Sequence, residues 1–315
     1  MTRRVLVLGG TGFVGRSLCE HLVRAGWAVT VPTRRAAHAR AVQHLPGLTV
    51  CTANVHDASA LDRLLPGHDA VINLVAILHG SPAAFERAHV MLPRSLAQAC
   101  ERTGVRRLIH VSALGADPQG PSLYQRSKAA GEAVLQAARL DLTLLRPSVI
   151  FGPQDRFLNL FARLQSVFPV MPLAGAHTRF QPVWVEDVAS AVVSCLQDPR
   201  TVGQTIECAG PEVLTLAELV RLAGRWGSRE RPVLPLPLAL GRLQAALMEL
   251  APGEPLMSRD NVDSMRVDNV ASGKLPGLSS LGITASSVHA VAPAYLGARG
   301  PRSALDTFRR RQRRP

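Results

Sequence analysis

Lysine and tyrosine are both scarce in this chain of 315 residues. Only two of its 36 basic residues are lysines, Lys128 and Lys274, and its two tyrosines are Tyr124 and Tyr295. The five cysteines are scattered and never form a CxxC pair, which argues against a zinc site and a disulfide framework. The ten histidines form no metal-ligand motif, so no metal is expected.

Long apolar runs are also missing, since none approaches the roughly 18 residues that a membrane-spanning helix needs. The apolar run after Arg3 and Arg4 is too short for a signal peptide and is interpreted as a strand. We therefore expect a cytoplasmic protein, with peripheral contact at the inner face of the membrane left open. The hydrophobic fraction of 47% provides for a buried core and excludes a disordered chain.

The first half of the chain alternates short β-branched runs with helical patterns. This order predicts an α/β fold with a doubly wound (Rossmann) parallel sheet covered by helices on both faces. The predicted strands are Val5–Leu8, Val29–Val31, Leu48–Cys51, Ala70–Val75, Arg107–Ser112 and Leu142–Leu145. The predicted helices are Phe13–Ala25, Ser59–Leu65, Ala83–Thr103 and Ser122–Arg139.

Proline and glycine interrupt the pattern after Pro147, which indicates a second and smaller lobe. We predict a dinucleotide-binding domain at 1–150 and an irregular α/β lobe for substrate or partner at 151–298, with strands and helices exchanged between them. Residues 299–315 carry seven arginines against one aspartate and are expected to form a disordered basic tail. Predicted elements of the lobe are helices Asp187–Gln197, Leu216–Trp226 and Leu238–Leu250 and the strand Thr205–Cys208.

Glycines recur at every third position directly after the first predicted strand, in the pattern Gly9-x-x-Gly12-x-x-Gly15. Such a loop lets the backbone turn and approach a pyrophosphate, whose oxygens accept from N–H groups at the positive end of a helix. The residues expected at the pyrophosphate are Gly9, Thr11, Gly12, Phe13, Val14 and Gly15.

The end of the second predicted strand indicates which cofactor is bound. NAD-specific folds place an acidic residue about 20 positions after the glycines, where it binds the ribose 2′-hydroxyl. This chain has Thr33 there, followed by Arg34 and Arg35, whose guanidinium groups would favour a 2′-phosphate. The sequence therefore favours NADP(H) over NAD(H).

Tyr124 and Lys128 are four residues apart and would share one face of a helix. A phenol beside an ammonium group and a nicotinamide cation is expected to have a lowered pKa, so Tyr124 is a candidate general acid or base. Lys128 is also a candidate to hold the nicotinamide ribose hydroxyls.

In order and spacing these motifs, with Asn54-Val55 and the segment Arg146–Gly152, resemble the extended short-chain dehydrogenases/reductases. The resemblance covers nearly the whole chain up to about residue 290. It implies that Asn54 and Val55 meet the adenine and that the segment after Pro147 flanks the nicotinamide. It also implies that the ribose and nicotinamide are lined by Leu74, Val75 and Ala76.

Two departures from that family bear on the chemistry. The family places a second serine or threonine where this chain has Ala113 after Ser112, so Ser112 is the remaining candidate hydroxyl. Members that act on sugar nucleotides also place an arginine seven residues before the aspartate that is Asp187 here. In this chain that position is Phe180, with Arg179 next to it.

A narrower resemblance is carried by Thr33–Arg35, Asn73–Leu78, Ser112–Ala116, Tyr124–Lys128 and Phe180–Ala189. These segments look like an atypical branch that contains the nucleotide-binding accessory subunit of respiratory complex I and a relative associated with coenzyme Q biosynthesis. Bacterial members of the branch are usually described as NAD-dependent epimerase/dehydratase-like proteins. The resemblance implies that the accessory subunit holds NADPH without turnover.

Two functions remain open at this point. The first is an NADP(H)-dependent oxidoreductase or epimerase that uses Tyr124, Lys128 and Ser112 on an unknown small-molecule substrate. The second is a largely non-catalytic accessory or assembly protein of complex I or of the coenzyme Q (ubiquinone) machinery. In either case the C-terminal arginine cluster is a candidate contact for a respiratory complex or an anionic membrane surface, and no nucleic-acid-binding fold is indicated.

Overall fold

The computed structural model describes residues 2–250, 253 and 255–297. Up to Pro147 strands alternate with helices, as the sequence predicted. The strands are β1 (Arg4–Leu8), β2 (Ala28–Thr33), β3 (Leu48–Thr52), β4 (Ala70–Asn73), β5 (Arg107–Val111) and β6 (Asp141–Pro147). The helices are α1 (Phe13–Arg24), α2 (Ala58–Leu64), α3 (Pro82–Glu86), α4 (Leu92–Thr103) and α5 (Leu123–Gln136).

Elements after Pro147 are mostly shorter. The strands are β7 (Ile150–Phe151), β8 (Met171–Ala174), β9 (Arg179–Phe180), β10 (Val183–Trp184), β11 (Thr205–Cys208), β12 (Leu214–Thr215) and β13 (Val233–Leu236). The helices are α6 (Leu158–Val167), α7 (Val185–Gln197), α8 (Leu216–Trp226), α9 (Leu238–Glu249), α10 (Arg259–Ser264) and α11 (Val288–Leu296). Among the described residues, no helix is long and apolar enough to cross a bilayer.

A seven-stranded parallel sheet in the order β11-β6-β5-β4-β1-β2-β3 forms the centre of the first of two compact units. The apolar residues of β1 are fully buried, as expected for a strand with helices on both faces. The predicted doubly wound α/β fold is therefore confirmed.

The prediction of one continuous helix over Ala83–Thr103 is wrong in one respect. The structure has a π-helical segment, Arg87–Met91, between α3 and α4. Pro93 has no N–H to donate to the carbonyl of His89 four residues earlier. That carbonyl lies against Gly131 of α5, where a Cβ atom would collide with it. A helix crowded at this turn relaxes by taking in one extra residue.

The two units are not two consecutive segments of the chain. The first contains the chain up to Pro147 together with Val185–Cys208 and Ala271–Thr284. Helix α7 and strand β11, which the sequence outline placed within 151–298, therefore belong with the large sheet. The predicted basic tail, 299–315, lies outside the described residues.

The second unit, from Ser148–Trp184, Ala209–Val270 and the described residues after Ala285, has no large sheet. Its strands form three two-stranded pairs, β7 with β10, β8 with β13 and β9 with β12. Aromatic side chains pack between its helices, including Phe151 against Trp184 and Phe157 against Phe161.

Candidate functional site

The glycine loop connects β1 to α1 at the carboxyl end of the sheet. Gly9 has a φ of +85°, and a Cβ atom there would lie only 3.2 Å from the side chain of Leu74. A Cβ atom on Gly15 would collide with the Gly9 carbonyl oxygen and with the backbone of Gly10. The spacing therefore has a steric cause, because α1 can begin this close to the loop only without side chains at these positions.

The start of α1 presents backbone N–H groups rather than a side-chain cap. Gly12 is the N-cap residue and makes no side-chain capping hydrogen bond, and the first turn contains no acidic residue. The N–H groups of Phe13 and Val14 lie in the first turn, where no helical carbonyl is available to accept from them. With the helix dipole they form a site suited to a phosphate group.

At the end of β2, Thr33 is buried and its hydroxyl donates to the carbonyl oxygen of Arg35 at 3.1 Å. Arg34 and Arg35 are exposed. The pKa of His56 is lowered by burial and, to a smaller extent, by the positive charges of Arg87 and Arg34. Arg87 therefore contributes a second positive charge near His56, which is close in sequence to Asn54, and no sequence pattern predicted this contribution.

The loop after β4 is held in place by buried polar side chains. Asn73 Oδ1 accepts from the N–H of Val75 at 3.1 Å, and its Nδ2 lies 3.1 Å from His110 Nδ1. The N–H of Ile77 donates to His89 Nε2 at 3.1 Å. The segment Leu74–Ala76 is thus fixed at both ends, with Leu74 against the glycine loop.

Helix α5 begins with a capping box formed by Ser122 and Gln125. This cap starts the helix one residue before Tyr124, so Tyr124 and Lys128 lie one turn apart on the same face. The helix position is thus set by local sequence, which explains why the pair could be recognised without a structure.

Lys128 is buried, with 2% of its surface exposed, and its Nζ donates to the carbonyl oxygen of Val111 at 2.9 Å. Burial lowers the pKa of Lys128 to about 8, and the carboxylate of Glu132 opposes this shift. Glu132 is also buried, and Arg146 donates to its carboxylate through both Nε and Nη2. The ammonium group of Lys128 thus lies at the carboxyl end of β5 and interacts electrostatically with Glu132 of the Glu132–Arg146 ion pair.

Tyr124 packs edge-on against two rings, at centroid distances of 5.6 Å to His89 and 6.4 Å to Phe85. Burial raises the pKa of Tyr124 to about 12, so the lowering predicted from the sequence is wrong for the structure as described. The cause of this shift is the loss of hydration around the phenolate. Tyr124 is therefore a protonated phenol at neutral pH.

His89 connects the π-helical segment to α5. Its pKa falls to about 3, because of burial first and the charge of Lys128 second, so the ring is neutral. Since Nε2 accepts from Ile77, Nδ1 carries the proton and donates to Ser127 Oγ at 2.8 Å. The Ser127 hydroxyl in turn donates to the carbonyl oxygen of Tyr124. His89 thereby fixes the turn of α5 that carries the phenol.

Ser112 follows β5, and its N–H donates to the carbonyl of Leu145 at 2.7 Å. Its side chain is only 5% exposed, and its Oγ has no hydrogen-bond partner in the described structure. Ala113 beside it is also buried, and the next residue donates its N–H to Pro147. A buried hydroxyl without a partner is unusual, which marks this strand end as a place where a ligand could supply one.

Most predicted site residues lie at the carboxyl ends of neighbouring strands in the first unit, where α/β folds bind nucleotides. Three functional candidates were missed, namely His89, Arg87 and Glu132. Glu132 could have been predicted from the sequence, because it lies four residues after Lys128 and so on the same face of the helix. His89 and Arg87 had none, since their position depends on the π-helical segment.

The glycine loop, parallel sheet and Tyr-Lys helix define a nucleotide-binding protein of the short-chain dehydrogenase/reductase type. Residues 5–209 match the model of the NAD dependent epimerase/dehydratase family, and the chain belongs to that family. The family match supports the expectation that the chain binds a nicotinamide dinucleotide.

Proteins similar to this chain include a mitochondrial respiratory subunit and a bacterial reductase. A protein of Mus musculus named NADH dehydrogenase (ubiquinone) 1 alpha subcomplex subunit 9, mitochondrial, is 36% identical over 88% of this chain and 75% of its own length. A ceramide reductase of Caulobacter vibrioides is 32% identical over 62% of this chain and 61% of its own length. These matches confirm the resemblance to the branch that contains the complex I accessory subunit.

The fold has relatives among solved structures. A UDP-glucose 4-epimerase of Thermus thermophilus, solved with NAD, superposes with a TM-score of 0.63 at 23% identity. The match covers 84% of this chain and 99% of the epimerase chain. At this identity the likeness supports the fold and not a shared substrate.

Proposed function

We propose that this chain is an NADP(H)-dependent oxidoreductase or epimerase whose catalytic residues are Tyr124, Lys128 and Ser112. The observation that carries the proposal is the buried, unpartnered hydroxyl of Ser112 at the strand end to which Lys128 donates. A substrate or cofactor oxygen placed there would satisfy a hydroxyl that otherwise costs about 1–3 kcal/mol.

The residues present fit a nicotinamide dinucleotide. The glycine loop leaves space that Cβ atoms would fill, and the first turn of α1 offers N–H groups to the pyrophosphate. Asn54 and Val55 are proposed to line the adenine pocket, and Leu74, Val75, Ala76 and Pro147 the nicotinamide end. Once bound, the cofactor supplies a hydride donor or acceptor.

Each catalytic residue has a proposed role. Tyr124, protonated at neutral pH, donates its phenolic proton to a substrate carbonyl oxygen, which favours the reductive direction. Lys128 holds the nicotinamide ribose hydroxyls with N–H donors that Val111 does not use. Ser112 binds the substrate oxygen in place of the hydroxyl that Ala113 lacks.

Two features of the structure bear on the choice of substrate and cofactor. Exposed Arg34 and Arg35, with Arg87, support NADP(H) over NAD(H). Arg179 is engaged by Asp268 in an ion pair of 2.7 Å, which does not favour a sugar-nucleotide substrate.

The test is turnover by the purified full-length chain with NADPH and a panel of quinone, keto and sugar-nucleotide substrates. Tyr124→Phe should lower any turnover by at least about a hundredfold, as expected for loss of a general acid. Tyr295→Phe is the matched control, because that hydroxyl donates to Asp155 instead. Equal rates for Tyr124→Phe and the parent would remove Tyr124 from the mechanism.

A second candidate function is an accessory or assembly protein that holds the nucleotide as a structural ligand. The 36% identity to a complex I subunit favours it, as does Ala113 at the family's hydroxyl position. Bound cofactor would then stabilise the fold by mass action, and membrane-associated respiratory machinery would be the partner. Its signature would be cofactor retention and co-purification with membranes, without turnover of any substrate in the panel.

A further inference from the structure

Large exposed apolar side chains are concentrated in one part of the second unit. Of fifteen such side chains in the described residues, four lie at Val167, Phe168, Val170 and Leu234, three on helix α9 and one directly after it. Single exposed apolar residues are ordinary, but such a concentration indicates a surface that contacts something else.

Helix α9 turns its small residues inward and its leucines outward. Gly241 packs on Ala174 of β8, where a Cβ atom would collide, and Ala245 is fully buried. The leucines lie on the opposite side at a spacing of three, four and three residues, and the last of them, Leu250, directly follows the helix. Their exposed fractions run from 52% to 82% in Leu240, Leu243, Leu247 and Leu250.

The other four apolar residues adjoin the strand pair on which α9 packs. Val170 precedes β8, and the N–H of Met171 donates to the carbonyl of Pro232 just before β13. Leu234 lies in β13, opposite Pro172. We call these four residues, the three exposed leucines of α9 and Leu250 the exposed apolar face.

Arginines without acidic partners accompany this face. Arg229 donates to the carbonyl of Ser166 and Arg231 to that of Gln165, directly before Val167. Arg163 is exposed one turn earlier on α6. Within the described residues none of the three arginines is paired with a carboxylate, and the neighbouring Glu230 is engaged by Arg225.

We propose that the exposed apolar face docks on an anionic lipid bilayer, with its apolar side chains at the acyl boundary and the three arginines on lipid phosphates. Charge complementarity favours this occupant, because the arginines are not neutralised and the chain carries a net charge of +13. A second copy related by a two-fold axis would bring the same arginines toward one another. This inference is independent of the proposed catalytic function.

The test is flotation of the full-length chain with vesicles of phosphatidylcholine, with and without phosphatidylglycerol. Binding should be stronger with phosphatidylglycerol than without it, and part of it should persist at high salt because the apolar side chains also contribute. The double variant Leu243→Gln/Leu247→Gln should lower the partition coefficient between vesicles and water by at least about tenfold. The reason is that glutamine gains much less than leucine from burial in the bilayer. Arg229→Ala should cost about fivefold. The matched controls in the same unit are Val213→Gln, whose exposed side chain directly precedes β12, and Arg221→Ala, whose exposed side chain lies on α8.

Three results would overturn the proposal. In the first, the leucine variant binds vesicles with the same affinity as Val213→Gln. In the second, binding of the parent disappears completely at high salt, as expected for charge attraction alone. The parent could also be a dimer that the leucine variant converts to a monomer, which would assign the face to a second copy. Unchanged thermal unfolding of each variant confirms that only the surface has been altered.

Discussion

Arg34 and Arg87 should discriminate between NADPH and NADH. Both guanidinium groups are exposed, and both act on His56, which lies in the loop after β3. If they meet at the adenosine ribose, a 2′-phosphate there would receive two charge-assisted contacts from different elements. Burial keeps His56 neutral at pH 7, so the two arginines carry the local positive charge.

Exposure sets the magnitude of the effect. A hydrogen bond to a charged group contributes about 1.5–3 kcal/mol, and solvent screening brings an exposed one to about 1 kcal/mol. Arg34→Ala and Arg87→Ala should therefore each weaken NADPH binding about fivefold, and the double variant about 25-fold if the two effects add. NADH affinity should be nearly unchanged.

Isothermal titration calorimetry at low salt measures both cofactors on each variant. Arg40→Ala is the control, because Arg40 is exposed in the same segment but is not among the groups that act on His56. The preference should shrink at about 0.15 M salt, where exposed charges are screened beyond roughly 8 Å. Equal parent affinities for NADPH and NADH, or equal losses of both in the variants, would refute the reasoning.

Three further predictions concern the buried charges and the glycine loop. Folding lowers the pKa of Lys128 from 10.5 to about 8. Between pH 8 and pH 10.5 the unfolded chain therefore binds more protons than the folded chain, and the free energy of unfolding should rise with pH by up to about 3 kcal/mol. Lys128→Met should flatten that rise in urea unfolding, and a slope equal to the parent's would show that Lys128 is not its source. Glu132→Gln should cost about 3 kcal/mol in the same assay by leaving Arg146 unpaired, whereas Glu20→Gln, in an exposed pair with Arg24, should cost under about 1 kcal/mol. Gly15→Ala should abolish cofactor binding in calorimetry, while Gly277→Ala, whose added Cβ meets its nearest atom at 3.6 Å, should bind normally.

Local sequence determined what could be predicted of the fold. In the first half, successive strands begin 20 to 37 residues apart with a helical pattern in most of the intervals, and α1 begins at Phe13 as expected. The glycine loop was recognisable because its spacing is set by steric contacts within seven residues, where side chains on Gly9 or Gly15 would not fit. Helix α5 was recognisable because Ser122 and Gln125 cap it locally.

Long-range contacts determined what could not be predicted. Strand β11 joins the sheet by pairing Thr205 with Leu144, a partner about 60 residues earlier. The π-helical segment depends on the approach of Gly131 to His89, which no local pattern reveals. The direction of the Tyr124 pKa shift was wrong for the same reason, because burial is a property of the folded structure.

Lys128 supports catalytic use of α5 over a structural role for the nucleotide. All but two of the 36 basic residues are arginine, and a purely structural nucleotide site could use a guanidinium group equally well. An arginine would remain charged when buried, whereas burial brings the pKa of Lys128 to about 8, within reach of neutral pH. A buried lysine, a buried glutamate and an unpartnered serine hydroxyl each lower the stability of the fold. A scaffold that only binds a nucleotide has no need for such destabilising groups. Sites that retain such costs are typically those where protons are exchanged during a reaction.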